Sequence, residues 1–174
     1  MIELKNIRHW IFDLDNTLYP NTTNLFDKID DLMCQFIEEN LGVSKEEALK
    51  IKNTYFHDHG TTLNGLMKKH DIDADKFLEF VHDIDYTLLN KDEELGVQIE
   101  KLPGEKIIFT NGTRKHAQKV TERLGIEKHF TKMFDIVDSK FIPKPEVEPY
   151  HLLVSTHNLD PVSYTHLRAH ETRH

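Results

Sequence analysis

The spacing of apolar residues along the chain predicts both strands and helices. Residues His9 to Asp13 form an apolar run that is typical of a short buried strand. A second run, Lys106 to Thr110, ends in a polar turn that contains glycine, and the residues MFDIV at 133–137 predict a third strand. Strands that alternate with helices indicate parallel βαβ units. We therefore expect an α/β fold with a doubly wound parallel sheet.

Between the first and second predicted strands, the pattern is that of helices alone. Apolar residues recur every three or four positions, and no segment from 19 to 95 alternates like a strand. Ser44 and Glu47 are spaced as a capping box. We expect residues 1–18 and 96–162 to form the core and residues 19–95 to be an all-helical insertion. Helices are predicted near 24–41, 44–56, 60–70, 73–84, 113–124 and 149–157.

Composition and charge narrow the class of protein. Hydrophobic residues make up 38% of the 174 residues and charged residues 30%, which is typical of a globular domain. The formal net charge of -8 argues against general binding to nucleic acid or to anionic membranes. Cys34 is the only cysteine, so no intrachain disulfide can form. No stretch has the length of a membrane span, and we expect a cytoplasmic location.

Polar side chains follow each predicted strand, where open α/β sheets bind their ligands. Asp13 and Asp15 follow the first strand, Thr110 and Asn111 follow the second, and Lys144 lies in a proline-rich loop beyond the third. Two ionised carboxylates this close repel each other unless a cation, a shared proton or a partner stabilises them. Mg²⁺, which prefers oxygen ligands and substrate phosphates, would make both carboxylates compatible with a phosphate dianion.

These side chains are the groups that phosphoryl transfer through a covalent aspartate requires. Asp13 would attack phosphorus, and Asp15 would protonate the leaving oxygen and then deprotonate the water that hydrolyses the acyl phosphate. Thr110 and the Asn111 amide would bind phosphoryl oxygens, while Lys144 would neutralise developing charge and orient the nucleophile. Each residue also has an ordinary structural explanation, namely a polar turn, a β-branched sheet residue or a solvated loop lysine.

Three segments, DLDNT, FTNGT and PKP, resemble in order and spacing the first three motifs of the haloacid dehalogenase superfamily. The wider segments WIFDLDNTLYP, GTTLNGLM, FVHDIDY, IFTNGTRKHA and FDIVDSKFIPKP resemble its pyrimidine 5′-nucleotidase branch, over roughly residues 8–160. The resemblance implies a Rossmann-like core, a mobile helical cap at 19–95 that selects the leaving group, and Mg²⁺-dependent hydrolysis of a small phosphate ester. The expected substrates are pyrimidine nucleoside 5′-monophosphates.

Other reactions stay open at this point. Dehalogenating members of the superfamily lack an acid two residues after the nucleophile, so Asp15 favours phosphate ester hydrolysis. A phosphatase or phosphomutase for small sugar phosphates is the first alternative, and a catalytically dead phosphate-binding module is the second. Within the cap, Gly60, Thr61 and Thr62 are candidates for substrate contact, although capping of a short helix explains them equally well.

The sequence departs from the family pattern after residue 162. Members of the superfamily carry a fourth motif, an acidic pair after a fourth strand, which supplies a Mg²⁺ ligand. Residues 163–174 contain neither an apolar strand nor an acidic pair, and we interpret them as a non-native tail that resembles translated adapter sequence. A naturally diverged or tag-like tail is the alternative. We therefore expect a C-terminally truncated core with its last strands missing, an exposed first strand, weak or absent activity and poor stability.

Overall fold

The computed structural model describes residues 7–160 and the backbone of residues 164–167. Four strands form one sheet in the order β3-β2-β1-β4, and every neighbouring pair is parallel. The strands are β1 (His9–Phe12), β2 (Glu105–Phe109), β3 (Lys132–Phe134) and β4 (Tyr164–Leu167). The predicted α/β fold with a parallel sheet is confirmed.

Seven α-helices connect and surround the strands in the described part of the chain. They are α1 (Leu25–Leu41), α2 (Lys45–His59), α3 (Thr62–His70), α4 (Ala74–Val81), α5 (Glu93–Glu100), α6 (Arg114–Leu124) and α7 (Val147–His157). The Ser44 hydroxyl accepts a hydrogen bond from the Glu47 amide and begins α2, as its spacing predicts. The sequence pattern did not single out α5, which crosses the expected boundary between residues 95 and 96.

Helices cover the sheet on both faces because successive strand residues point to opposite sides. Trp10 and Phe12 of β1 belong to a cluster that includes apolar residues of α6. Ile11, between them, belongs to a second cluster on the other face, which includes Leu153 of α7. Both faces of the strand that precedes Asp13 are therefore packed, and the end of that strand is held in place.

One expectation from the sequence was wrong: β1 is not an edge strand. Its residues pair with β2 on one side and with β4 on the other, from His9 opposite Tyr164 to Phe12 opposite Leu167. Tyr and Thr favour extended backbone, and a strand at the sheet edge needs a pairing partner on one side only. A four-residue segment without an apolar run can therefore occupy this place. The rest of the proposed tail lies outside the described residues.

Helices α1 to α4 pack around an apolar cluster of their own. Phe36 of α1 meets Phe77 of α4 edge to face, with ring centroids 5.1 Å apart. Ile136, from the turn after β3, is buried in the same cluster, and Phe141 packs against it. Helices α1 to α4 thus share a core, and the loop that leads to Lys144 is attached to it.

Within the described residues, none of the helices combines the length and the apolar character that crossing a membrane requires.

Candidate active site

Asp13 is the first residue after β1, and both of its carboxylate oxygens accept hydrogen bonds. Lys144 Nζ donates to Asp13 Oδ1 at 2.7 Å, and the Thr17 hydroxyl donates to Asp13 Oδ2 at 2.9 Å. The Lys144 side chain is only 9% exposed and that of Asp13 15%, so the ion pair is largely shielded from water. A charge-assisted contact of this kind fixes the orientation of the carboxylate.

The end of β2 brings Lys144 to Asp13. Lys144 Nζ also donates to the Phe109 carbonyl at 2.6 Å. The Asn111 side chain brackets the Lys144 backbone, because its Oδ1 accepts from the Lys144 amide at 2.8 Å and its Nδ2 donates to the Lys144 carbonyl at 3.3 Å. Thr110 is buried, and its hydroxyl accepts from the Gly112 amide at 2.9 Å. The structure thus brings Asp13, Asn111 and Lys144 together across three segments of the chain.

Asp15 has donors on one side of its carboxylate. The Tyr19 hydroxyl donates to Asp15 Oδ1 at 2.5 Å, and His116 Nε2 lies 2.8 Å from the same oxygen. Burial would raise the pKa of Asp15, but the charge and hydrogen bond of His116, together with the Tyr19 hydrogen bond, lower that pKa to about 2. Asp15 is therefore ionised at neutral pH.

Sequence reasoning missed the groups that surround Asp15. His116 has no exposed side-chain surface, its Nδ1 lies 3.0 Å from the Tyr86 hydroxyl, and its ring stacks on that of His82 at 4.5 Å between centroids. The Tyr86 hydroxyl also donates to the His82 carbonyl at 3.2 Å. The sequence did give one indication that His116 is buried: it precedes Ala117 on the apolar face of α6. Nothing in its spacing pointed to Asp15.

The three candidate residues at 60–62 lie where the chain passes from α2 into α3, of which Thr62 is the first residue. The Thr61 hydroxyl accepts from the Asn64 amide at 3.1 Å and begins α3, while the buried Thr62 donates to the Lys52 carbonyl at 3.2 Å. A Cβ added at Gly60 would lie 3.2 Å from Pro143 Cγ, next to Lys144 in the chain. Gly60 thus faces the loop that carries the lysine, while both threonines have contacts that hold the cap helices.

The turn after β3 is stabilised by Asp135. Its carboxylate accepts from the backbone amides of Arg114 at 2.7 Å, Val137 at 3.0 Å and Asp138 at 2.9 Å. The first of these bonds ties the start of α6 to the turn. Asp135 therefore supports the loops around the site.

Within the described residues, Asp13 and Asp15 place two carboxylates just after β1. Among residues 7–160, no group of three or more His, Cys, Asp or Glu side chains is arranged to hold a metal ion. In the sequence β4 is followed by Arg168, and the acidic Glu171 comes three residues later, outside the described residues. The described part of the site thus supplies two carboxylates.

A family model for haloacid dehalogenase-like hydrolases matches residues 7–164. The chain belongs to this family. Its similarity to Phosphate metabolism protein 8 of Saccharomyces cerevisiae is 28% identity over 154 residues, which are 79% of this chain and 47% of the yeast protein. The hydrolase thus spans about half the length of that curated relative.

Solved structures of the family share its fold. L-2-haloacid dehalogenase of Xanthobacter autotrophicus superposes with a TM-score of 0.53 at 15% identity, over 92% of this chain and 69% of that one. The HAD-hydrolase YfnB of Bacillus subtilis, bound to magnesium, gives 0.51 at 17% identity, over 86% and 73%. Protein SP0104 of Streptococcus pneumoniae gives 0.55 at 17%, over 92% and 75%. At these identities the likeness concerns the fold, and it does not choose among the reactions.

Proposed function

We propose that this hydrolase is a Mg²⁺-dependent phosphomonoesterase that works through an aspartyl phosphate on Asp13. The observation that carries the proposal is the shielded contact of 2.7 Å between Lys144 Nζ and Asp13 Oδ1. It holds the Asp13 carboxylate in place at the end of β1, with a second carboxylate, Asp15, two residues later. A nucleophile that is held in one orientation, next to a separate acid or base, is the arrangement that covalent phosphoryl transfer needs.

The side chains at the end of β2 have the donors that a phosphoryl group requires. Thr110 accepts a hydrogen bond from the Gly112 amide, and a hydroxyl that accepts in this way can still donate its own hydrogen to a phosphoryl oxygen. The Asn111 amide is the second donor proposed. Lys144, fixed by Asn111 and by the Phe109 carbonyl, carries the positive charge that balances the phosphoryl oxygens in the transition state.

Asp15 changes its protonation state twice in the proposed reaction. The dianionic phosphate of an entering substrate raises the pKa of the neighbouring carboxylate, because like charges oppose ionisation. Asp15 then carries the proton that the leaving oxygen takes up as the bond from phosphorus to that oxygen breaks and the Asp13–phosphorus bond forms. In the second step Asp15, again ionised, removes a proton from the water that attacks phosphorus and releases phosphate and the Asp13 carboxylate.

The two carboxylates fit Mg²⁺ in their chemistry. Mg²⁺ is usually held by one or two carboxylates together with water and substrate phosphate oxygens, and Asp13 and Asp15 provide such a pair of hard oxygen ligands. Bound there, the ion would neutralise phosphate charge and screen the two carboxylates from each other. The similarity to a magnesium-bound hydrolase of the same fold is in keeping with this assignment.

We propose pyrimidine nucleoside 5′-monophosphates as the substrates. Support comes from the five wider segments that resemble the pyrimidine 5′-nucleotidase branch, two of which lie in the cap, where the leaving group would be selected. The name of the yeast relative, Phosphate metabolism protein 8, is in keeping with a role in phosphate metabolism. Phosphatases and phosphomutases for small sugar phosphates are the alternatives that the experiment must separate.

A substrate panel with matched variants tests the proposal. Purified hydrolase is assayed for phosphate release from pyrimidine and purine nucleotides and from sugar phosphates, with Mg²⁺ and with excess chelator. We expect the highest kcat/KM for pyrimidine nucleotides, loss of activity with chelator, and a loss of at least about 10³-fold in Asp13→Asn. Asp75→Asn, which removes an exposed carboxylate in the cap, should leave the rate unchanged. Equal rates in the wild type and Asp13→Asn would refute the covalent route, and faster turnover of sugar phosphates would refute the substrate assignment.

A further inference from the structure

His116 is a buried polar residue at a position where the fold would accept an apolar one. It lies on α6 beside Ala117, on the face that also buries Val120 and Leu124 against the sheet. Burying an imidazole there costs free energy unless its nitrogens have partners. The structure provides two partners, the Asp15 carboxylate at 2.8 Å and the Tyr86 hydroxyl at 3.0 Å. The fold therefore holds His116 in one orientation, aimed at Asp15.

The contacts of His116 fix its ring on three sides. Besides the two nitrogen contacts, the ring lies flat on His82, with 4.5 Å between centroids and 17° between planes. His82 is in turn attached to Tyr86, whose hydroxyl donates to its carbonyl. The groups that hold the imidazole come from the end of α4 and the segment after it, while Asp15 follows β1.

Among the contacts of the described residues, those of Asp15 orient it from one side. The Tyr19 hydroxyl and His116 Nε2 both meet Oδ1, at 2.5 Å and 2.8 Å. Two donors on one carboxylate oxygen fix the rotation of the carboxylate, and they thereby fix the direction in which its other oxygen, Oδ2, points. Only 18% of the Asp15 side chain is exposed, so its remaining freedom is small.

We infer that His116 is a positioning residue that aims the free edge of the Asp15 carboxylate at the leaving oxygen of the substrate. The inference rests on the proposed function, since it assigns a support to the group that protonates the leaving alcohol there. In that step the bond between phosphorus and the leaving oxygen breaks, the Asp13–phosphorus bond forms, and the Asp15 proton passes to the alcohol. A misaimed Asp15 slows this proton transfer while Asp13 and Lys144 stay in place.

Substrates with good and poor leaving groups distinguish this role from structural support alone. An alkoxide leaving group, as in a nucleotide, is a poor one and needs the proton, whereas p-nitrophenolate leaves readily without it. The value of kcat/KM reports the steps up to the departure of the leaving group, so hydrolysis of the acyl phosphate does not enter the comparison. A variant that only loosens the fold lowers kcat/KM for both esters by the same factor.

The test compares His116→Asn with His116→Gln on uridine 5′-monophosphate and on p-nitrophenyl phosphate. A Gln amide reaches the position of Nε2 and can still donate to Asp15, while an Asn amide reaches only the position of Nδ1, on the Tyr86 side. We expect His116→Asn to lower kcat/KM for the nucleotide by about 10²-fold, and for the aryl ester by less than about threefold. His116→Gln should restore most of the rate with the nucleotide.

Each other outcome counts against the inference. An equal loss with both esters in His116→Asn, or no loss with the nucleotide, refutes the positioning role and leaves the proposed function standing. A wild type that hydrolyses neither ester refutes the proposed function and this inference with it. Tyr86→Phe removes only the hydroxyl that contacts His116 Nδ1. It should lower kcat/KM for the nucleotide more than for the aryl ester, by a smaller factor than His116→Asn does. If thermal melting shows that His116→Asn is unfolded, Tyr86→Phe becomes the deciding variant, and an equal loss with both esters refutes the role.

Discussion

Lys144 is a cation in a place that water hardly reaches, and its partners explain why it is tolerated there. Its ammonium contacts the Asp13 carboxylate and the Phe109 carbonyl, and it lies 4.8 Å from the centre of the Phe109 ring. An unpaired buried charge costs several kcal/mol, and removing one member of a buried pair typically destabilises by about 3–5 kcal/mol. The residues that would perform the chemistry thus also stabilise one another, and removing one of them leaves a buried charge without its partner.

His82 makes the stability of the hydrolase sensitive to acid. Burial and the neighbouring His116 lower the pKa of His82 to about 3, from the usual 6.5. The unfolded chain then takes up a proton below pH 6.5 that the folded chain does not, so stability falls as the pH falls from 6.5 toward 3. Urea unfolding at pH 7 and pH 5 should show that His82→Phe removes on the order of 1 kcal/mol of this decrease. An identical decrease in the variant and the wild type would contradict the assignment.

Sequence reasoning found the residues at the site that share one property: they follow a predicted strand. The parallel sheet brings such positions to one edge, so Asp13, Asn111 and Lys144 could be expected to meet. His116 and Tyr86 could not be found in this way, because His116 meets Asp15, and Tyr86 meets His116, only through the packing of α6 against the segment after α4. A contact between a helix and a distant segment leaves no periodic signal in the sequence.

Among the elements, α2 and α3 pack at a distance that only glycine allows. A Cβ added at Gly65 would lie 2.3 Å from Tyr55 Cβ and 2.4 Å from Tyr55 Cγ. These atoms lie near the helix backbone and cannot move aside without displacing the helix. Gly65 therefore sets the spacing of α2 and α3, and through them the position of Gly60 against Pro143.

Two glycines in helix interiors give a matched pair for this claim. Gly65→Ala should destabilise by roughly 1–3 kcal/mol, since the added methyl group overpacks the contact with Tyr55. Gly96→Ala in α5 meets no atom closer than 3.6 Å, and it should be neutral or stabilise by about 0.5–1 kcal/mol. Urea unfolding of the two variants measures the difference. Equal stabilities would mean that the helices separate freely and that the close approach is not a constraint.

The helix and strand predictions held where the local signal was strong. Helices with a clear capping signal, such as the one that Ser44 begins, appear within a few residues of their predicted bounds. The eight-residue α5 and the four-residue β4 were missed, because each is short and owes its place to the sheet and helices around it. Tertiary pairing, rather than local pattern, decides such elements.

At the scale of the whole molecule, β4 covers the edge of β1 that would otherwise be exposed. Without it, β1 would present unpaired amides and carbonyls beside Asp13, and such an edge is prone to pair with other chains. The strand thus protects the segment that carries the proposed nucleophile.

Removing the last strand tests its role. A chain that ends at Asp160 should be less stable to urea and should aggregate at concentrations where the chain of 174 residues does not, because β1 then becomes the edge. Light scattering and size-exclusion chromatography of the two chains at matched concentrations measure this. Equal aggregation and equal stability would show that the pairing of β4 contributes nothing.

The central claim is that Asp13 carries the phosphoryl group during turnover. Rapid acid quenching of the hydrolase during reaction with uridine 5′-monophosphate, followed by digestion and peptide mass spectrometry, tests it directly. The account predicts one phosphoryl group on the peptide that contains Asp13, located on that residue, and none in Asp13→Asn. Full turnover with the phosphoryl group on another residue, or with a variant that lacks the Asp13 carboxylate, would contradict it.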